Sequence, residues 1–115
     1  MKIYNVEYTT LDLEFIQNDT VNFTLQVYKN GVLFDMTGMT VDITVKDITV
    51  DANVIKSFTS DSSDPNITIS TSSFRVLDDG FVTPGLYLYD VQITSGSEVF
   101  TIIKGNLVVL KEVTV

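Results

Sequence analysis

The sequence predicts an all-β protein, a sandwich of about eight short antiparallel strands in a single domain over residues 1–115, and three observations carry that prediction. Apolar and polar residues alternate with period two along most of the chain. Nowhere is the i, i+3, i+4, i+7 spacing of an amphipathic helix sustained. Turn-forming residues recur roughly every eight to twelve positions, the rhythm of a sandwich or small barrel. With 115 residues, 44% hydrophobic and 19% charged, the chain is long enough to bury one core and too apolar to stay disordered.

The elements follow in order. Leu11, Leu13 and Phe15 alternate with Asp12 and Glu14 until Gln17-Asn18-Asp19 stops the run. Val21, Phe23, Leu25 and Val27 then face one way and Asn22, Thr24 and Gln26 the other, the pattern of a sheet with one wet side. Asn30-Gly31 accepts positive φ at both positions, so a type I′ turn returns Val32-Leu33-Phe34 as a short hairpin partner, and Asp35-Met36-Thr37-Gly38 turns again. Val41, Ile43 and Val45 form an inward row. A turn at Asp51-Ala52-Asn53 leads into a strand from Val54 to Phe58, the loop Ser60 to Pro65, and a short strand carrying Ile67 and Ile69. Between Ser72 and Gly80 a serine cap and a closing glycine suggest one helical turn through Phe74, Val76 and Leu77. Pro84-Gly85 launches the clearest strand, with Tyr87, Tyr89, Val91 and Ile93 inward and Leu86, Leu88, Asp90 and Gln92 outward. Ser95-Gly96-Ser97 closes a hairpin into Val99 to Lys104, and Leu107 to Leu110 ends the series.

Within such sandwiches the immunoglobulin-like type is favoured, and it places a tyrosine at the start of the penultimate strand with its hydroxyl bonded to nearby backbone. Tyr87 can fill that position; it and Tyr89 can equally be ordinary core aromatics.

Composition excludes whole classes of function. Seven Lys and Arg against fifteen Asp and Glu give a net charge of −8, the wrong sign for nucleic acid or an anionic membrane. Without His or Cys the chain cannot build a Ser-His-Asp or Cys-His nucleophile, a zinc site or a disulfide. The acidic pairs Asp78-Asp79, Asp61 with Asp64, and Asp47 with Asp51 all fall in or beside turns, where Asp bonds its own backbone. Asp61, Asp64 and Asn66 lack the spacing of a calcium loop, so a cation site would need ligands from several loops. Glycines are scattered singly, which leaves no phosphate-cradling loop. No enzyme activity, cofactor or metal is expected. Five Tyr and seven Phe could stack on sugars, but Phe15, Phe23, Tyr87 and Tyr89 fall on the inward register.

The segment from Gly105 to Leu110 is apolar on both faces, more than a strand with one wet side needs. Two covers are open. A neighbouring subunit would make Val108, Leu110, Val113 and Val115 partner contacts; otherwise the chain's own N-terminus lies there.

The runs Gln17-Asn18-Asp19-Thr20, Phe23-Thr24-Leu25, Asn30-Gly31, Met36-Thr37-Gly38 and Val41 to Lys46 precede the most specific pieces, Pro84-Gly85-Leu86-Tyr87-Leu88-Tyr89-Asp90-Val91 and Gly105-Asn106-Leu107-Val108-Val109. In this order they resemble the N-terminal immunoglobulin-like domain of phage baseplate upper proteins and related small phage virion proteins. The resemblance implies a non-enzymatic virion component that docks on a tail baseplate and links it to receptor-binding proteins. It also implies that Asn30, Gly31, Pro84, Gly85, Tyr87, Tyr89, Asp90 and Gly105 are structural motif positions. Asn18 stands where that family usually has Gly, so a left-handed backbone is expected there. Baseplate upper proteins continue into a longer C-terminal part; a chain ending at Val115 is expected to stand alone, as a capsid decoration or a neck or tail adaptor. No secretory signal is visible, so synthesis in the host cytoplasm and residence in the virion are expected. Expected partners are other virion proteins with a basic docking surface, and further copies of the chain. The alternative function is a carbohydrate- or host-receptor-binding module.

Overall fold

The computed structural model describes residues 9–48 and 53–113. Eleven strand segments lie among them: β1 (Thr9–Thr10), β2 (Leu13–Ile16), β3 (Val21–Gln26), β4 (Tyr28–Lys29), β5 (Val32–Leu33), β6 (Thr40–Asp47), β7 (Val54–Thr59), β8 (Ile67–Ser70), β9 (Ser73–Asp78), β10 (Gly85–Ser95) and β11 (Glu98–Leu110). The larger sheet runs β1 and β2, then β11, β10, β6 and β7, and the smaller runs β3, β9, β8. Pairing is antiparallel except for β1 and β2, which both run parallel to β11. Strands β3, β9 and β8 on one sheet and β6, β10 and β11 on the other reproduce the order of an immunoglobulin-like sandwich.

Burial follows the period-two pattern. Val41, Ile43 and Val45 of β6, Tyr87, Tyr89, Val91 and Ile93 of β10, and Leu107 and Val109 of β11 point inward. They meet Val21 of β3, Ile67 of β8, and Phe74 and Val76 of β9. Met36, fully buried, closes the core beneath the turn at residues 35–38, where the Asp35 carboxylate accepts from both the backbone N–H and the hydroxyl of Thr37. Those two bonds hold the Asp35 carboxyl below its ordinary range. Asn30 and Gly31 adopt φ of 54° and 77°, the two positive values that a type I′ hairpin between β4 and β5 requires.

Two expectations are corrected. The strands are more numerous than eight, because the N-terminal run breaks in two, the run ahead of the expected hairpin breaks at Val27 into β3 and β4, and β9 adds a strand. Nor are all short: β10 has 11 residues, and β11, with 13, passes unbroken through Gly105 and joins what reads as two strands. The stretch read as a helical turn is β9, with Phe74 and Val76 inward and Arg75 and Leu77 outward. Pairing with β3 on one side and β8 on the other satisfies its backbone on both edges, which outweighs the local capping signals.

Tyr87 does form the tyrosine corner: its hydroxyl donates to the Thr83 carbonyl at 2.6 Å across the bend that precedes β10. Thr83 is exposed, so water can take the vacated place, and Tyr87→Phe should cost about 1 kcal/mol. Urea denaturation with an unchanged slope is the check; no loss of stability would mean that the corner does not help hold β10.

Candidate docking surface

Because β10 and β11 bury alternate residues, their remaining residues form the outer face of the larger sheet, and the register arranges them in rows. Thr44, Asp90, Lys104 and Thr10 make the first row. Lys46, Leu88 and Asn106 make the second, and Asp12 completes it by accepting the Asn106 backbone N–H at 3.0 Å. Leu86, Val108 and Glu14 make the third, with Leu110 and Ile16 side by side beyond it. Side chains of the first two rows line a shallow groove of about 400 Å³. Leu86, Leu88, Leu110 and Ile16 are exposed at 46, 48, 43 and 45%, and Val108 between them is half-buried. A continuous apolar strip therefore crosses three strands on a face that alternation alone would leave polar.

The N-terminal run that supplies one side of this face is held by a clamp. Between β1 and β2 the chain bulges inward at Leu11, whose N–H donates to the Lys104 carbonyl at 3.0 Å. The Leu11 carbonyl accepts the Tyr89 hydroxyl at 2.5 Å. Gly105 leaves the room for this approach, since a Cβ there would overlap the Leu11 carbonyl. Asp12 then returns outward to receive Asn106, and β2 continues to pair as far as Ile16 with Leu110. The free edge of β11 is thus covered by the chain's own N-terminal run, while Leu110 stays exposed on the outer face.

Burial pushes the Tyr89 hydroxyl up to about 12, with the nearby Asp12 charge adding to it; burial and then Asp47 raise Tyr87 as well. For Tyr89 the folded value lies above the unfolded one, near 10. The neutral form is favoured in the folded chain, so its stabilisation is present below pH about 10 and is lost as pH rises towards 12. Tyr89→Phe should flatten the alkaline part of the stability profile. Equal alkaline slopes for the two proteins would contradict the clamp.

The residues read for chemistry are dispersed. Asp78 pairs with Lys56 at 2.5 Å, and the Lys56 ammonium also donates to the Gly80 carbonyl and lies over the Phe81 ring at 5.4 Å. Lys56, missed in the sequence, thereby places an inward charge on the edge strand β7, a device that discourages strand addition. Its signal was present as a lone Lys on the core register of a predicted strand. Asn66 accepts the Thr59 N–H and is occupied in holding the β7–β8 loop. Asp61 and Asp64 are exposed in that loop, and Asp51 lies outside the described residues. No group of three or more potential metal-ligating side chains occurs among the described residues. Phe15, Phe23, Phe58, Phe81 and Tyr87 pack against one another, stacked except for the edge-to-face pair Phe58–Phe81, with centroids 5.8–6.4 Å apart, so they offer no platform to a sugar.

Asn30 and Gly31 make the hairpin turn; Pro84, Gly85, Tyr87 and Tyr89 build the corner and the clamp; Asp90 stands on the outer face. Of the C-terminal contact residues, Val108 and Leu110 lie in the apolar strip, Val113 is exposed beyond it, and Val115 lies outside the described residues.

No family model matches the chain, and no curated protein does. Among solved structures it is similar to the crystal structure of the ZIG-8-RIG-5 IG1-IG1 heterodimer, with 13% identity over 96% of this chain and 89% of that one and a TM-score of 0.37. The fold assignment rests on strand order and register rather than on this likeness.

Proposed function

We propose that the chain is a non-enzymatic structural subunit of a bacteriophage particle, a tail, baseplate or neck adaptor or a capsid decoration, that works through protein–protein contacts. The observation that carries this reading is the apolar strip of Ile16, Leu110, Val108, Leu86 and Leu88 on the outer face of the larger sheet. Exposed apolar area that is contiguous and rimmed by polar groups is the mark of a contact surface. Resemblance of the Pro84 to Val91 and Gly105 to Val109 segments to phage virion domains supports the particle assignment, although Pro84, Gly85, Tyr87 and Gly105 serve the fold itself. Exposed Asp61 and Asp64 in the β7–β8 loop suit a basic neighbour in the particle.

Mass spectrometry of gradient-purified particles tests the reading. Peptides of this chain at a fixed ratio to the major particle proteins are expected. Finding them in the infected-cell lysate and never in particles would overturn it.

A further inference from the structure

We infer that the occupant of this strip is a second copy of the same chain, packed sheet to sheet about a two-fold axis that runs parallel to the strands between β10 and β11. The inference rests on the docking role of the outer face proposed above. Its support is the charge pattern that the register imposes. A two-fold axis in that position lays β10 of one copy over β11 of the other and β6 over the N-terminal run. Residues of one row then meet the same row of the second copy in reversed order. In the first row, Asp90 faces Lys104 of the second copy and Lys104 faces its Asp90. In the second, Lys46 faces Asp12, and in the third, Leu86 faces Val108. Opposite charges thus meet twice over, Leu86 meets Val108, and Leu88 packs against Asn106 of the second copy.

Turning the second copy end for end removes this match. That orientation lays β10 over β10 and β11 over β11, so Asp90 would lie against Leu86 and Lys104 against Val108, desolvated with no opposite charge across the interface, an arrangement that disfavours the complex. Face-to-face sheets cross at about 30°, which keeps pairs near the axis in reach and lets the long Lys46 side chain follow. Four strand positions overlap in this arrangement. At about 4.8 Å each, over nine residues at about 3.3 Å, they give a face of about 570 Å², near the about 600 Å² per partner at the lower end of the range for stable interfaces. Like net charges of −8 oppose the pairing at long range, so added salt should tighten it by screening the acidic remainder of each copy.

Sedimentation velocity over a concentration series tests this. The wild-type chain should sediment at twice the 12.8 kDa of one copy. Leu88→Asp, on an exposed site, should keep a cooperative thermal transition, with Tm lowered only by the lost association, and weaken association at least tenfold. Asp90→Lys and Lys104→Asp should each be monomeric alone, because Asp90 and Lys104 of one copy meet Lys104 and Asp90 of the next. An equimolar mixture of the two should dimerise again. In that mixture the cross-strand pair within each chain stays broken, so recovery can come only from contacts between copies. A wild-type chain that remains monomeric throughout, or a mixture that does not recover, overturns the pairing. Incorporation of Leu88→Asp into particles separates this failure from that of the docking role: a monomeric wild type whose Leu88→Asp variant is excluded loses the pairing and keeps the role, and normal incorporation removes both.

Discussion

Gly105→Ala is expected to release the N-terminal run from β11 and to lower stability by about 3 kcal/mol, at the upper end for an overpacked site. The added methyl group would meet the Leu11 carbonyl, and the Tyr89 ring lies 3.1 Å from the same point. Neither can yield cheaply: one is backbone, and the other is anchored by its own hydroxyl to that carbonyl. If Leu11 moves out, Tyr89 loses its acceptor, the Leu11 N–H loses the Lys104 carbonyl, and Asp12 loses the register that brings it to Asn106. Urea denaturation reads the stability, and amide exchange at Leu11 and Asn106 reads the release. An unchanged midpoint with both amides still protected would show that the clamp is not what holds the strand. Because β2 carries Glu14 and Ile16 into the outer face, the same substitution should also weaken association.

Phe74→Ala is expected to cost about 3 to 5 kcal/mol, the range for emptying a fully buried aromatic site. Phe74 has no exposed surface and sits on the central strand of the smaller sheet, where Leu25 of β3 and Ile69 of β8 flank it. Leu77 supplies the contrast. A helical turn would set residues 74 and 77 on neighbouring positions of one face. The strand instead turns Leu77 outward at 47% exposure, so Leu77→Ala should cost well under 1 kcal/mol. Comparable losses at both positions, by thermal or urea denaturation, would contradict the strand.

These two sites also mark where the sequence could be read and where it could not. Alternation reports which residues of one strand share a face, so the inward rows Val41-Ile43-Val45 and Tyr87-Tyr89-Val91-Ile93 were legible, as was Asn30-Gly31 through its tolerance of positive φ. Asn18, expected to be left-handed, has φ of 66°. Strand β9 was not legible because its order comes from distant pairing: Asp78 lies opposite Val21, and local Ser, Asp and Gly signals imitate helix caps. The clamp was hidden for a similar reason. Gly105 and Tyr89 stood out individually, but the Leu11 carbonyl that explains both comes from the opposite end of the sequence.

For the docking surface, the sequence singled out Val108 and Leu110 through their apolar outer register. It left Leu86 and Leu88 as unremarked members of a wet face, and Ile16 as the end of a strand. Only the register of three strands, two of them at opposite ends of the chain, assembles the five into one strip. The fold was therefore more readable than the surface, because core membership is a property of one strand and a surface patch belongs to several.

Site-specific photocrosslinking in assembled particles tests the central claim, that the outer face of the larger sheet is the contact surface. A benzophenone side chain placed at position 88 should crosslink in good yield, giving a product of two copies of the chain. The same group at Thr68 of β8, outward on the smaller sheet, should give little or none. Efficient crosslinking from position 68 with none from position 88 would contradict the account.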